Sequence, residues 1–255
     1  MKYYRDFLRA NSATSPRDPL KTVTYEEYLA ELLAWDKFQS DSQFRFAELR
    51  TFRDMVEDDG FVDPDLVARL AARVTEIFGS SKVPVRFRSS SNIEDSLEFN
   101  GAGLYESTGA CAADDLDAEE RGPSRCDSDE QKERNIARAL KLVWASLWTF
   151  RAYEERAWYQ IPQDQTAMGI LVSSAFLDEE ANGVAFTGNP SNALDRRYVV
   201  TAQKGEASVV QPEPGTRVEK DVLDVEDGAV VEIDRVEASS LVPAGQHVVS
   251  DEKLE

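Results

Sequence analysis

The sequence is poor in the residues on which several common kinds of site depend. Its 255 residues include one histidine, His247, and two cysteines, Cys111 and Cys126. One histidine excludes a multi-histidine metal centre, and it excludes Ser-His or Cys-His catalysis outside the C-terminal segment. We expect His247 to lie at the surface. Both cysteines fall in a polar segment, and because loop thiols of cytoplasmic proteins are usually reduced, we expect them to be free.

Basic residues and long apolar runs are also scarce. The chain has 29 lysines and arginines and 48 acidic residues. The resulting formal net charge of −19 argues against broad attraction to nucleic acid or to an anionic membrane. No apolar run is long enough to span a bilayer, and the N-terminus lacks the apolar core of a signal peptide. These features predict a cytoplasmic protein that binds neither nucleic acid nor membranes. A nucleotide is not excluded, since a few converging arginines and a metal ion can hold a polyphosphate.

A glycine-rich phosphate loop of the Walker or dinucleotide type is absent as well. The chain has instead a short β-prone run that leads an arginine, three hydroxyls and two carboxylates into a turn, in residues 83–95, VPVRFRSSSNIED. An arginine at a strand end offers a planar fork of N–H donors to phosphate oxygens, and the serines and backbone N–H groups of the turn complete a cradle. The acids would hold a divalent metal or orient the arginine. An ordinary surface loop, whose acids cap the next element, has the same pattern.

Four segments, in the same order along the chain, resemble one family. Residues 88–101 follow the signature RSS(A/T)xxED…FxG, and residues 143–152 follow VWASLF…RA. Residues 167–187 follow AMGVVV…SGVAFT, and residues 205–210 follow GEAVV. The chain from residue 83 to about residue 212 therefore resembles the nucleotide-binding domain shared by phosphoenolpyruvate synthase, pyruvate phosphate dikinase and their relatives.

The resemblance implies an ATP-grasp-like fold, in which ATP and Mg²⁺ lie between two α+β subdomains. In this family the domain binds ATP with Mg²⁺ and passes a phosphoryl group to a histidine on a separate carrier domain, which delivers it to pyruvate or another acceptor. Phosphoryl transfer depends on positioning and charge neutralisation, so arginine and metal are the parts to look for. The implied partners of this chain are ATP, Mg²⁺ and a downstream carrier or acceptor domain.

The same resemblance assigns five residues to the nucleotide site. Arg88 matches the arginine that contacts the ATP phosphates, and Ser89 follows it in the motif. Gly101 matches a glycine whose missing side chain lets the backbone approach the nucleotide. Ser173 stands where relatives often carry a glutamine near the adenine, so this chain departs from the family there. Glu206 matches the glutamate of GEAVV, as a ligand or as a structural residue.

The ends of the chain depart further from the family. Relatives begin with a GGKGxxL segment and finish with a DIEW-type acidic strand and a QxRP strand, and this sequence contains none of these. We therefore expect a fragment of a longer protein, with little ATP binding of its own. The hypothesis is the ATP-binding region of a phosphotransferase. The alternative is a degenerate module that binds a nucleotide or a partner without transfer.

The residue pattern predicts an α+β chain with a helical region over 1–81 and an incomplete ATP-grasp-like region over 82–255. Local signals predict a helix capped by Thr24, one over residues 41–57, one from Pro64 to Gly79, and a longest helix that starts at Ser128. An exposed acidic loop is predicted over residues 109–129. Strands are predicted at 83–88, 101–108, 167–176, 182–188, 197–203 and 207–211, with alternating apolar residues at 229–233.

Overall fold

The computed structural model describes residues 1–93, 99, 101, 103–116, 122–176, 179–192, 194–205, 207, 209 and 212–254. The chain divides into two compact units, Met1–Ala175 and Phe176–Glu255. Helices and antiparallel strands are both present, which confirms the predicted α+β class. The predicted boundary between residues 81 and 82 stays a prediction.

The first unit contains most of the helices. They are α1 (Lys2–Ala10), α2 (Tyr25–Leu33), α3 (Asp36–Ser40), α4 (Ser42–Asp54, continued by a π-helical turn at Met55–Asp59), α5 (Pro64–Phe78), α6 (Ile136–Ser146) and α7 (Phe150–Trp158). A short 3₁₀ turn, Gln163–Gln165, follows α7.

Local capping signals explain where three of these helices begin. Thr24 and Glu27 form a reciprocal capping box at the start of α2, with the Glu27 N–H 3.1 Å from the Thr24 hydroxyl. Asp41 accepts two first-turn N–H groups of α4. At α5, Asp63 caps a helix whose first residue is proline, and Gly79 ends it in the left-handed conformation. These three helices confirm the sequence-based predictions.

Two sheets complete the first unit. A two-stranded hairpin joins β1 (Ser12–Thr14) and β2 (Thr22–Thr24), and the sequence pattern did not predict it. A three-stranded antiparallel sheet has the order β4-β3-β5. Its strands are β3 (Pro84–Ser91), β4 (Thr108–Cys111) and β5 (Met168–Ser174).

The core of the first unit lies between this sheet and the helices. One face of the sheet, with Val85 and Phe87 at its centre, packs on α6. The N-terminal helix is tied to this core, because the Trp148 indole N–H donates to the Tyr4 hydroxyl over 2.7 Å. Aromatic side chains at helical spacing are therefore packing residues, as expected, at Trp144 and Trp148. Trp158 is an exception, because 83% of its surface is exposed.

The second unit is a four-stranded antiparallel meander in the order β6-β7-β8-β9. Its strands are β6 (Ala181–Phe186), β7 (Tyr198–Lys204), β8 (Glu219–Glu226) and β9 (Ala229–Glu237), and α8 (Asp251–Leu254) lies near the C-terminus. The sequence pattern predicted β6, β7 and part of β9 but missed β8. His247 is exposed, as predicted. The predicted strand at 207–211 falls largely outside the described residues.

The longest predicted helix was wrong in its start and in its length. It begins at Ile136, not at Ser128, and α5 is longer. The cause is Asn135, whose side chain accepts the Arg138 N–H over 2.8 Å, together with the Asp115 carboxylate, which accepts the Ile136 N–H over 2.9 Å. The first cap is the side chain of the residue just before the helix, and the second comes from Asp115, 21 residues before Ile136. The local pattern at residues 128–131 contains neither of them.

The prediction of a strand over 101–108 was also wrong. Gly103 has φ of 75°, which interrupts an extended backbone, and the Leu104 N–H closes a turn on the Gly101 carbonyl. Pairing with β3 starts only at Thr108, which lies opposite Phe87.

The segment 109–129 is not simply an exposed acidic loop, and its cysteines are not free. Cys111 and Cys126 form a disulfide. The buried carboxylate of Asp114 accepts the Arg125 N–H and the Arg134 N–H, each over 2.8 Å. This carboxylate and the disulfide fold the described part of the segment back against β4. In the described part of the chain, no helix is both long and apolar enough to cross a membrane.

Candidate nucleotide-binding site

The outer face of the three-stranded sheet, the side opposite α6, carries the arginines of the RSS signature region. Side chains alternate along β3, so Val85 and Phe87 are buried while Arg86, Arg88 and Ser90 are exposed. On β5, Leu171 lies opposite Arg88 and is 61% exposed. The outer face of the first unit therefore carries two arginines and Ser90 together with the exposed apolar side chain of Leu171.

Arg88 and Ser173 meet on this face. The Nε–H of Arg88 donates to the Ser173 hydroxyl over 3.4 Å. Ser173 lies opposite Arg86 in the register, so the contact runs diagonally from β3 to β5. Of the described residues, only Ser173 hydrogen-bonds to the Arg88 guanidinium, and this contact uses the Nε–H.

The end of β3 is held in place by its own polar residues. Ser91 Oγ accepts the Ile93 N–H over 3.2 Å, which starts the turn. Asn92 spans to the segment before β5, because its amide nitrogen donates to the Gln165 carbonyl and its amide oxygen accepts the Ala167 N–H over 2.8 Å. The serine and asparagine of the motif thus fix the direction of the strand end that carries Arg88.

The close approach of β5 to β3 depends on Gly169. A Cβ atom there would lie 2.8 Å from the carbonyl oxygen of Ser90. The glycine lets the two strands pair fully, and it leaves the outer face beside Ser90 free of a side chain.

The other predicted site residues are placed differently. Ser89 is half-buried, its Cβ lies on the opposite side of the strand from Arg88, and its backbone N–H donates to Ser107 Oγ over 3.2 Å. Gly101 is buried, and its carbonyl accepts the Leu104 N–H. Glu206 lies outside the described residues. The roles of all five residues stay predictions, and the structure brings together two of them, Arg88 and Ser173.

The sequence-based reasoning missed Arg86. It lies two residues before Arg88 on the same strand face, and two residues of a strand span about 6.6 Å. The signal that could have found it is the period of two in VRFRS, which puts both arginines on one side and the two apolar residues on the other.

A Mg²⁺ site does not emerge from the described residues. They contain no group of three or more His, Cys, Asp or Glu side chains placed to hold a metal ion. The carboxylates of the motif, Glu94 and Asp95, lie outside the described range. The guanidinium of Arg88 and the hydroxyls of Ser90 and Ser173 on this face fit phosphate oxygens, because they can donate hydrogen bonds to anions, whereas the exposed side chain of Leu171 cannot.

Comparison with known proteins defines the class of this domain. Residues 30–239 match the family described as pyruvate phosphate dikinase, AMP/ATP-binding domain. The match covers most of the chain, so the chain belongs to this family. It is an α+β AMP/ATP-binding domain, and the resemblance seen in the four sequence segments is confirmed.

A curated relative agrees with this assignment. The chain is 23% identical over 196 residues to a probable phosphoenolpyruvate synthase of Pyrococcus horikoshii. The aligned segment covers 76% of this chain but 21% of that protein, so the chain spans about a fifth of the relative's length.

Proposed function

We propose that this chain is the ATP-binding part of an ATP-dependent phosphotransferase that acts like phosphoenolpyruvate synthase. In this proposal the γ- or β-phosphoryl group of ATP passes to a histidine of a carrier domain, or to another acceptor, in a longer cytoplasmic protein. The domain is of the ATP-grasp type, and ATP reaches the site together with Mg²⁺. The described residues do not form a Mg²⁺ site, so in this proposal they act on the nucleotide alone.

One observation carries the proposal: an exposed arginine, oriented by a neighbouring hydroxyl, on the open sheet face of a chain that belongs to an AMP/ATP-binding family. The guanidinium of Arg88 is exposed, and its charge and five donors form a planar fork that matches a phosphate oxyanion. The hydrogen bond to Ser173 uses the Nε–H of Arg88. It would hold the guanidinium in one orientation, in which the two Nη groups can bind a phosphate as a bidentate fork.

The residues of the outer face would act by binding and orientation. The Arg88 fork would hold the phosphate oxygens and neutralise charge that grows on them during transfer. Ser173 would keep the guanidinium from rotating, which preserves the alignment of the transferred group with its acceptor. The chain itself supplies no nucleophile in this scheme, because the accepting histidine belongs to another domain.

The test is a calorimetric titration, with ATP and Mg²⁺, of the longer protein that is proposed to contain this chain, because little ATP binding is expected of the chain alone. Arg88→Ala and Arg50→Ala are compared with the unsubstituted protein. Arg50 is a matched control, an exposed arginine on α4 whose guanidinium lies 3.8 Å from Asp54 of the same helix. Loss of a charge-assisted hydrogen bond should weaken ATP binding about tenfold or more in Arg88→Ala. The Arg50→Ala affinity should stay unchanged.

Two results would contradict the proposal. Equal ATP affinity of Arg88→Ala and the unsubstituted chain would remove Arg88 from the site. An ATP complex that passes no labelled phosphate to a histidine-bearing carrier domain of a phosphoenolpyruvate synthase would favour the alternative, a nucleotide-binding module without transfer.

A further inference from the structure

One arginine of the first unit is fully buried, and no described carboxylate pairs with it. Arg156 lies on α7, and helical spacing places it on the inner face of that helix together with Ala152 and Tyr153. Its side chain has no exposed surface. A buried guanidinium usually has an acidic partner, because the charge loses its hydration when it leaves water. The position of Arg156 therefore needs a physical explanation.

The partners of Arg156 are neutral groups. Its Nε–H donates to Gln163 Oε1 over 2.8 Å, and its Nη1–H donates to the Tyr105 hydroxyl over 3.4 Å. The guanidinium carbon lies 5.7 Å from the centre of the Trp148 ring. Among the described residues, no group accepts a hydrogen bond from the buried Nη2. Stability alone does not account for a buried charge that its surroundings satisfy only in part.

The first partner, Tyr105, belongs to the segment that carries the glycine of the sequence signature. We call the described residues 99, 101 and 103–107 the FxG segment. The ring of Tyr105 packs on a small buried cluster that joins this segment to α7. The members of that cluster are Phe99, Leu104 and Ala152. The hydrogen bond from Arg156 to the Tyr105 hydroxyl adds a polar anchor to this apolar contact.

The FxG segment rejoins the sheet beside Arg88. The hydroxyl of Ser107 accepts the backbone N–H of Ser89 over 3.2 Å, and Ser89 follows Arg88 on β3. Tyr105 is therefore only two residues away from a contact with the strand that carries Arg88. A change in the position of Tyr105 is transmitted to that strand over a short length of backbone.

The second partner, Gln163, belongs to the 3₁₀ turn Gln163–Gln165. This turn holds the other end of the signature, because the Gln165 carbonyl accepts the side-chain N–H of Asn92 over 2.9 Å. Asn92 is the residue directly after β3. One guanidinium thus connects the turn that holds the end of β3 with the segment that returns to β3.

We propose that Arg156 is a positioning residue of the nucleotide site, which holds the end of β3 and the FxG segment in one fixed relation. Arg88 and Gly101 then meet the nucleotide in a preset arrangement. Arg156 is buried and acts through its neighbours, not by contact with the ligand. A segment that is ordered before the ligand arrives binds it more tightly, because no ordering entropy is lost on binding. The inference rests on the proposed function, since it requires a nucleotide at Arg88.

A second buried arginine of the same unit provides a matched control. Arg45 lies on α4 and is only 9% exposed, but it has the acidic partner that Arg156 lacks, since its Nε lies 2.6 Å from Glu154 Oε1. Its Nη1 also donates to the carbonyls of Phe38 and Gln39, over 2.6 and 2.9 Å. None of these three partners belongs to the signature.

The experiment compares Arg156→Met with Arg45→Met. ATP affinity is measured by calorimetry with Mg²⁺ in the longer protein that is proposed to contain this chain, and the melting temperature is measured on the chain without nucleotide. Arg156→Met should weaken ATP binding about tenfold, because the FxG segment must then be ordered when ATP binds. Its melting temperature should change little, since methionine replaces a buried charge that has no acidic partner.

Arg45→Met should give the opposite pattern. It leaves the carbonyls of Phe38 and Gln39 without a donor and Glu154 without its cation, so the melting temperature should fall. The ATP affinity of the folded protein should stay unchanged. A residue that only supports the fold moves the melting temperature and not the affinity, and a positioning residue does the reverse.

A milder variant tests the same contact with little risk to the fold. Tyr105→Phe removes only the hydroxyl that Arg156 contacts, at a half-buried position, and should weaken ATP binding about threefold. Arg156→Met/Tyr105→Phe should bind ATP no more weakly than Arg156→Met, because both substitutions break one contact. In the chain without nucleotide, each single variant should speed hydrogen exchange at residues 103–107 and leave exchange in α6 unchanged.

The outcomes separate this inference from the proposed function. If Arg88→Ala weakens ATP binding and Arg156→Met does not, or if Arg156→Met and Arg45→Met weaken it equally, the positioning role is overturned. If Arg88→Ala leaves ATP binding intact, the proposed function is wrong and this inference falls with it. Should Arg156→Met fail to fold, Tyr105→Phe decides, because an unchanged ATP affinity in that variant overturns the role of the contact.

Discussion

Arg88 on β3 and Ser173 on β5 are joined by a hydrogen bond of 3.4 Å across the outer face of the sheet. The resemblance to the family implies a longer glutamine at this position in many relatives, and we propose that the serine hydroxyl of this chain orients the arginine. The two residues are 85 positions apart in the sequence, and they meet because β3 and β5 pair in register.

Ser173→Ala should therefore weaken ATP binding without weakening the fold. The hydroxyl is half-exposed, so its loss leaves no buried group unsatisfied, and the melting temperature should change little. ATP affinity should fall about threefold, since the Arg88 guanidinium must be ordered when the ligand binds. Ser173→Gln, which restores the side chain that relatives carry, serves as the comparison. Calorimetry on both variants of the longer protein is the measurement, and equal ATP affinity of Ser173→Ala and the unsubstituted protein would exclude an orienting role.

Short-range signals in the sequence predicted much of the fold correctly. Asp63, Pro64 and Gly79 define α5 because capping depends on residues within one turn of the helix end. The strand β3 followed from its β-prone residues and from the family signature. Such elements are encoded locally, so a single sequence is enough to place them.

Other features depend on partners far away in the chain. The start of α6 depends on the carboxylate of Asp115, 21 residues earlier, and the position of β4 depends on its register with β3. The disulfide was missed because the expectation of free cysteines was based on their polar segment and on a cytoplasmic location. A single sequence does not show that the two cysteines approach each other. At the candidate site, Arg88 and Ser173 came from motif matching, whereas Arg86 could have been found only from the alternation of side chains along β3, which the motif does not include.

The disulfide should stabilise the fold measurably. Cys111 and Cys126 are separated by 15 residues, and a cross-link of this span lowers the entropy of the unfolded chain by an amount worth about 3 kcal/mol. Urea unfolding in the presence of a reductant should therefore show a lower midpoint than unfolding without it. The double variant Cys111→Ser/Cys126→Ser is the control, because reductant should leave its midpoint unchanged.

Hydrogen exchange can localise this effect. Reduction should speed exchange at residues 122–135, which the disulfide and Asp114 hold against β4. An unfolding midpoint that is the same with and without reductant would contradict a stabilising role for the bond.

The stability of the first unit should also depend on the protonation of Asp115. Burial raises the pKa of its carboxyl from the ordinary value of 3.8 to about 6, although the N–H of Ile136 favours the charged form. A carboxyl with a raised pKa stabilises the fold through its neutral form. That contribution is fully present below about pH 3.8, and it is lost as the pH rises through about 6.

Comparison with Asp115→Asn isolates this contribution from the other carboxylates of the chain. The difference in unfolding free energy, unsubstituted chain minus variant, should decrease by on the order of 1–2 kcal/mol between pH 4 and pH 7, after allowance for the partial exposure of the group. Urea titrations at several pH values give this difference. A difference that stays constant, or that grows with pH, would show that the native carboxyl does not have a raised pKa.

The buried charges of the second unit make Arg235 a structural residue. Glu219 and Asp221 are fully buried, and Arg235 Nη1 lies 3.0 Å from Asp221 Oδ2 and 3.5 Å from Glu219 Oε1. Glu219 also accepts the N–H groups of Val248 and Val249, over 2.7 and 3.0 Å. Burial raises the pKa of Asp221 even with the guanidinium beside it.

Arg235→Met should destabilise the second unit by about 3–5 kcal/mol, because it leaves two buried carboxylates without the guanidinium that pairs with both. The second substitution in Arg235→Met/Asp221→Asn removes one of these charges and should recover part of the loss. Arg197→Met is the control, since Arg197 is itself exposed and its partner Asp195 is only partly buried, so its loss should destabilise the unit far less than Arg235→Met does. Hydrogen exchange of the β8 and β9 amides reports the stability of this unit directly. If Arg235→Met exchanges no faster than Arg197→Met, the cation does not stabilise the two carboxylates, and water or protonation must do so in its place.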